Sequence, residues 1–578
     1  MTKAVRPDHP RWASSKINFF DLAFFLSVAA LLGLVGLTFR QYAVSNDEGV
    51  QHRYGELIIA YYTSGFTDTS VFRFDNLYLY GGLFDIVAVL FSHLLPFDLY
   101  DIRHVLSALA GIGGIVATWA TGRMISGPRA GFIAAIALAI CGVWYGGMFN
   151  HTKDVPFASA MMGATFFLLR AARDLPFPRR RDILWFGVAL GCALGLRATG
   201  LLMVGYVPAA VLLQTWTGKG SRWRKLLTTS ARSLLQFVPA FVIGYVVMIA
   251  AWPWAQLNFL NPVRAIFAFA HFHYPIRTIL AGRVYLMSEV PRWYEPAYIL
   301  IKLPLAVLTA AAGATVSAGW SVIRGPHSAS NRARQRAIAI LGFMVVFPLL
   351  CQAAGHGPSF TGMRHFLFVV PPIATLAGIG IDACLRALQA RGPAASVAAL
   401  AAVATAFALD AATLARLHPY EYLFYNSLVG GLQGASRNYA TDYWVNIMPE
   451  AVSELERYIN SANAVDPANI HATALKPPHY SVAVCGERIS FENEAKSDLQ
   501  WTGDWSHADF FIAPTHMDCD QVLRGMTVSV IERLGVPIGV VKDLRGVSPQ
   551  ARWATWEVAH APATGSGSVA KQTRSHER

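Results

Sequence analysis

Apolar runs long enough to cross a bilayer recur along the chain, at 18–38, 104–122, 130–149, 155–172, 182–198, 200–216, 233–251, 297–319, 337–355, 364–385 and 394–413. A helix needs about twenty mainly apolar residues to span the hydrocarbon core, so the pattern predicts eleven transmembrane helices within residues 18–413. A further run, Leu77–Leu95, is short and carries Asp85 and His93. It reads either as a span or as an amphipathic helix lying in the interface. After Leu414 the apolar runs shrink to strand length, at Tyr480–Val484, Phe510–Ile512, Val528–Ile531 and Pro537–Val541, separated by Gly, Pro and Asp. With a helix expected over Pro449–Ile459, this predicts a small α/β or α+β domain over 414–560. Residues 1–17 form a polar, basic tail, and the Gly/Ser-rich then polar stretch 561–578 has the composition of a disordered one. No internal repeat is evident.

Charge orients this pattern. The chain has 578 residues, of which 54% are hydrophobic and 14% charged, with a mean hydropathy of +0.38. Soluble domains carry roughly a quarter charged residues, so a polytopic membrane protein is expected. The net charge of +13 does not point to nucleic acid, because the basic residues sit in short loops where cytoplasmic retention explains them. If Leu77–Leu95 does not span, the clusters at Arg123/Arg129, Arg170–Arg181, Lys219–Arg232, Arg324–Arg336 and Arg386/Arg391 all fall on the side of the N-terminal tail. If it spans, every one of them flips outward, against the positive-inside rule. The run is therefore read as interfacial, within a large outer loop at 39–103. The N-terminus is then cytoplasmic and the C-terminal domain extracytoplasmic, as in a bacterial inner-membrane protein, with no cleaved signal peptide expected. Cys141, Cys192, Cys351 and Cys384 lie in or beside apolar runs, whereas Cys485 and Cys519 lie in the C-terminal part and could pair there.

Candidate chemistry collects on the outer side. Asp47 and Glu48 follow the first span. A carboxylate beside apolar surface loses hydration and gains basicity, which makes Asp47 the stronger candidate for a general base. If Glu48 begins a helix, His52 lies at i+4 on the same face, the pair that could hold a divalent metal, with Arg53 beside it. The turn Asn150-His151-Thr152-Lys153-Asp154-Val155-Pro156 places His151, Lys153 and Asp154 between two spans, where Asp154 could also serve as a helix cap. Arg197 is flanked by apolar residues, and Arg364-His365 opens a later span; Arg264, His271, His273 and Arg277 fall in an outer loop. Cations at the hydrocarbon edge suit a lipid phosphate, with charge for the head and an apolar groove for the tail. Carboxylates to activate a nucleophile and cations to hold a phosphate together suggest group transfer from a lipid phosphate.

The ordered set of Asp47-Glu48, the Asn-x-x-Lys-Asp-x-Pro-Phe-Ala turn at 150–158, and Arg364-His365 resembles the GT-C glycosyltransferases. It is most similar to their protein O-mannosyltransferase-like and bacterial polyprenyl-phosphate-sugar-dependent members. His418-Pro419-Tyr420-Glu421-Tyr422, Tyr425-Asn426, Gly430-Gly431 and Asp442-Tyr443-Trp444 resemble a junction in bacterial members. The resemblance covers roughly 18–445. It implies inverting transfer of a monosaccharide from a polyprenyl-phosphate carrier to an acceptor hydroxyl on the outer membrane face. In that reading Asp47 is the catalytic carboxylate, Asp154 a second acid lining the site, and Lys153, Arg364 and His365 contacts to the carrier phosphate. One departure is the lack of a MIR-type β-trefoil insert, which leaves the acceptor open among protein, lipid and glycan. A transporter or lipid flippase is the rival reading, and it would call for inverted repeats and paired broken helices.

Overall fold

The computed structural model describes residues 18–150, 153–216, 223–271, 276–324, 329–355, 357–465 and 479–553. The helices are α1 (Phe19–Thr38), α2 (Glu48–Thr63), α3 (Leu83–Leu94), α4 (Leu99–Ser126), α5 (Pro128–Ala139), α6 (Gly142–Tyr145), α7 (Gly147–Asn150), α8 (Asp154–Arg173), α9 (Arg180–Leu194) and α10 (Leu202–Thr215). They continue as α11 (Trp223–Leu235), α12 (Val238–Ala251), α13 (Pro253–Leu257), α14 (Asn261–Ala270), α15 (Tyr294–Lys302), α16 (Leu305–Arg324), α17 (Ala329–Gly355), α18 (Val370–Gln389), α19 (Pro393–Leu417), α20 (Gly431–Ala435) and α21 (Met448–Val465).

Among the described residues, eight helices are long and apolar enough to cross a membrane, and up to ten if each bent pair counts as one span. The bent pairs are α5 with α6 and α7 (70°) and α15 with α16 (117°). Eleven spans were expected. The run at 182–198 forms the 15-residue α9, which is shorter than each of those eight helices. It stops there because Gly195 meets another segment. A Cβ on Gly81 would collide with the Gly195 carbonyl, and that carbonyl accepts the Leu83 N–H at 3.0 Å while Ala251 O accepts the Gly82 N–H at 2.9 Å. The Gly81-Gly82 pair thus allows a close backbone crossing. α3, with 12 residues, is about 18 Å long and too short to span, in line with the interfacial reading.

The bundle is built around the helix that runs from Arg364 through α18, where 83% of the apolar window is buried, against 17% for α1 and 11% for α19. Those two outer helices present their apolar residues outward, which is stable only against lipid. Glycine lets α18 approach α5 closely: a Cβ at Gly378 would lie 2.5 Å from Ala130 O. Arg123 clamps Asp21 through two bonds of 2.7 and 2.8 Å, fixing α1 against α4.

The C-terminal region carries a five-stranded sheet built from β3 (Tyr480–Val484), β4 (Leu499–Trp501), β5 (Phe510–Pro514), β6 (Met526–Arg533) and β7 (Val536–Asp543), after a separate hairpin of β1 (Arg277–Leu280) and β2 (Arg283–Leu286). The strand order is β4-β3-β5-β7-β6. β3 pairs in parallel with β4 and β5, and β7 is antiparallel to β5 and β6. α21 packs on β6 and β7. Cys485 and Cys519 form a disulfide.

Candidate active site

Asp47 sits at the N-cap of α2, but its side chain makes no capping bond. Its carboxylate instead accepts from Arg364 Nη2 at 2.6 Å and keeps 40% of its side chain exposed. Arg364 Nε donates to Asp154 Oδ2 at 3.2 Å, and Arg197 Nη2 donates to Asp154 Oδ1. The result is an alternating row, Asp47–Arg364–Asp154–Arg197, contributed by four separate segments. It lies where α8 begins, α9 has just ended and α18 is about to start. The Trp444 ring lies 4.3 Å from the Arg364 guanidinium and forms the other wall. That ring is placed by the Asp442-Tyr443-Trp444 junction. Asp442 accepts the backbone N–H groups of Asn446 (2.9 Å) and Ile447 (3.0 Å) and the Tyr422 hydroxyl.

A second cluster lies directly behind the first. Glu48 is fully buried. It accepts the Ser45 N–H at 2.9 Å and pairs with His104 Nε2 at 3.3 Å, with Arg103 Nε 3.9 Å from its other oxygen. Arg103 Nη2 then reaches Asp85 at 3.0 Å, and Lys153 Nζ reaches the same carboxylate at 3.1 Å. Lys153 also lies 5.3 Å from the ring centres of both Tyr54 and Tyr80. Two carboxylates and two permanent cations balance inside the fold, which is the condition for keeping such charges buried.

The structure therefore brings together Asp47, Asp154, Arg197 and Arg364, and sets Glu48 and Lys153 in the adjoining cluster. It does not bring in the others. Arg53 pairs with Glu56 at 2.6 Å on the exposed side of α2, and His52 Nε2 lies 3.5 Å from the same Glu56. Glu48 and His52 thus serve different partners despite their i,i+4 spacing. Among the described residues no group of three or more His, Cys, Asp or Glu could hold a metal ion. His365 packs its ring against Phe360. Arg264 bonds Asn261 and His271 bonds Phe267 O at exposed positions, and Arg277 lies in the hairpin. His151 and His273 lie outside the described residues.

Asp85, Arg103, His104 and Trp444 were not singled out from sequence as site residues. The signals were present. Asp85 is a lone carboxylate in an apolar run, and Arg103-His104 repeats the Arg-His pair of Arg364-His365 near the start of a long apolar helix. Some polar atoms are still open for a ligand. Among the described residues, Arg197 Nε and both polar atoms of the Asn150 carboxamide are buried without a hydrogen-bond partner, a state that folded proteins rarely leave unexplained. A cavity of about 600 Å³ lies elsewhere, between α16, α17, α18 and α19, lined largely by small residues such as Ala310, Gly313 and Ala314. It lacks the carboxylate–arginine row.

Residues 86–254 match the family model described as dolichyl-phosphate-mannose-protein mannosyltransferase. No curated protein matches the chain. Among solved structures, ArnT from Cupriavidus metallidurans bound to undecaprenyl phosphate is 16% identical, covers 90% of this chain and 97% of its own, and has a TM-score of 0.45. The apo state of the same protein gives 17%, 90%, 97% and 0.46. The archaeal oligosaccharyltransferase AglB from Archaeoglobus fulgidus, in complex with an inhibitory peptide and a dolichol-phosphate, is 11% identical, covers 86% of this chain and 70% of its own, with a TM-score of 0.45. The segment that supplies Lys153, Asp154 and Arg197 is thus matched by a glycosyltransferase family, and the resemblance of this chain to the GT-C glycosyltransferases stands.

Proposed function

We propose that this protein transfers a monosaccharide from a polyprenyl-phosphate carrier to an acceptor hydroxyl, with inversion, at the Asp47–Arg364–Asp154–Arg197 row. The observation that carries this reading is Arg364, shared between the half-exposed Asp47 and the buried Asp154. A carrier phosphate entering the row competes for the guanidinium and frees Asp47. Asp47 then takes the proton of the acceptor hydroxyl while its oxygen attacks the anomeric carbon. The bond from that carbon to the phosphate oxygen breaks, and polyprenyl phosphate leaves with the electron pair. Arg364 and Arg197 in the row are the cations assigned to receive the charge, with Lys153 in the adjoining cluster adding to the positive field. A positioned base contributes about 10²–10⁴-fold, and charge stabilisation of the leaving group is of comparable or larger size.

The description of the matching family names a dolichyl-phosphate-linked mannose donor, which supports a lipid-phosphate sugar as substrate; the sugar and the acceptor (protein, lipid or glycan) stay open. Retention of cations by the cytoplasm supports a bacterial inner-membrane protein with its N-terminus inside and this row on the outer face. The residues offered for a divalent metal do not converge, and no step is assigned to one. Purified protein should bind undecaprenyl phosphate, and Arg364→Ala should weaken that binding by about ten- to a hundredfold, as for loss of one charge-assisted contact. Equal binding by the two proteins would contradict the role given to Arg364.

A further inference from the structure

The segment that follows β3, a turn and the short helix Arg488–Glu492, lies on the stretch that leads into Asp47. The Glu487 N–H donates to Asn46 Oδ1 at 3.4 Å, and the Ser490 hydroxyl donates to Val44 O at 2.7 Å. A Cβ on Gly49 would stand 3.6 Å from both the Ile489 side chain and the Tyr100 hydroxyl. From the other side, Asn446 Oδ1 accepts the Ala43 N–H at 2.7 Å and Asn46 Nδ2 donates to Tyr443 O at 3.3 Å. The C-terminal region is therefore strapped across residues 43–49. The Cys485–Cys519 disulfide joins this segment to the loop carrying His516, whose Nδ1 accepts the Thr441 N–H at 3.3 Å, three residues from Trp444.

Glu487 stands in this strap with its carboxyl half-buried. Among the described residues no cation pairs with it. The neighbouring Arg488 turns instead to Glu492 at 2.8 Å and over the Trp501 ring. The Glu487 backbone N–H is bonded to Asn46, the residue before Asp47, and a carboxyl held there without a counter-charge adds repulsion to the fold rather than a stabilising pair. A ligand that brings hydroxyl groups would use it. We propose that Glu487 is the acceptor-binding carboxyl of this site, holding a hydroxyl-bearing acceptor against Asp47. The inference rests on the transfer reaction proposed above and assigns the C-terminal region its part in it.

Burial, and behind it the Asp47 charge, raises the Glu487 carboxyl to about 8. At neutral pH it is then mostly protonated, able to donate one hydrogen bond and accept another. The charged and titratable groups around it are Asp47 on the first loop and Tyr100 on α4. Arg364 bonds Asp47 and Asp154, and Arg197 bonds Asp154, whereas Glu487 bonds Asn46, so the roles assigned to donor and acceptor binding fall on different residues.

The test uses the full chain in lipid nanodiscs, with undecaprenyl phosphate as the binding probe. Membranes of a strain lacking the protein supply donor and acceptor for transfer, and the product is read by mass spectrometry. Glu487→Ala should bind undecaprenyl phosphate within twofold of wild type while forming about tenfold less product, the loss expected of one hydrogen bond. Glu487→Gln, a neutral isostere of the protonated acid, should recover most of that loss. Arg488→Ala should transfer as wild type does. Product formation by Glu487→Ala at the wild-type level would overturn the assignment, and so would parallel loss of carrier binding. Failure of the wild type itself to bind the probe would overturn the transferase reading instead.

Discussion

At Asp85 one carboxylate answers two cations, Arg103 at 3.0 Å and Lys153 at 3.1 Å, with all three side chains nearly inaccessible to solvent. Removing the acid leaves two positive charges in the interior and takes from Lys153 the one carboxylate that reaches it among the described residues. Breaking a buried pair in this way costs about 3–5 kcal/mol. Asp85→Ala should therefore lower the thermal unfolding midpoint of the purified protein well below that of Asp85→Asn, which keeps an acceptor. Equal midpoints would show that the cluster relaxes without it. The charges read from sequence at this scale divide by burial. Asp154, Arg197 and Arg364 stood out as ionisable groups at the edge of apolar runs, and they meet. His52 has the spacing to share a face with Glu48, yet it is buried with its Nε2 turned toward Glu56 four residues on, and Arg53 lies on the exposed side and pairs with the same Glu56. Helical spacing alone does not say which face turns inward.

Elements explain why some of the pattern was legible and some was not. The long apolar runs read correctly because twenty apolar residues have few alternatives to a helix in lipid. α9 was overestimated because its apolar composition continues past Gly195, while a tertiary crossing by Gly81-Gly82 ends the helix there. In the C-terminal region four strands were visible, and β4 was not. It has three residues, too few for any period to register. The loop carrying His516 could not be seen at all, since its role depends on the disulfide and on Thr441. That loop makes a pH prediction. Burial holds His516 down, to about 4, and its Nδ1 must stay unprotonated to accept from Thr441. An unfolded chain takes up this proton near ~6.5. Below that pH the unfolded state binds a proton that the folded state refuses, so this contribution is complete above ~6.5 and lost as pH falls toward 4. Unfolding midpoints at about pH 5 and pH 7.5 should differ less in His516→Gln than in wild type. An undiminished difference would place the acid sensitivity elsewhere.

Across the whole molecule, a bundle that buries charge at one end is closed by a sheet domain whose loops reach the same residues. The Cys485–Cys519 bond spans 34 residues of sequence, and closing a loop of that length stabilises by about 3–4 kcal/mol on the chain-entropy account. Replacing both cysteines by serine should lower the unfolding midpoint of the C-terminal region and with it the yield of transferred sugar, while undecaprenyl phosphate binding at Arg364 persists. Loss of carrier binding in that variant would mean the domain holds the row together rather than covering it. The site as a whole was readable as an ordered list of residues. Its arrangement into a reactive row and a buried support was not, because that arrangement depends on tertiary contacts between separate segments, those of Arg364 reaching across 210 and 317 positions.

The most direct test is Asp47→Asn in the full chain, assayed for transfer and for carrier binding together. The account predicts that product formation falls by about 10²–10⁴-fold while undecaprenyl phosphate binds at least as tightly, since the phosphate no longer competes with the Asp47 carboxylate for Arg364. Transfer at the wild-type rate, or carrier binding lost in step with transfer, would contradict it.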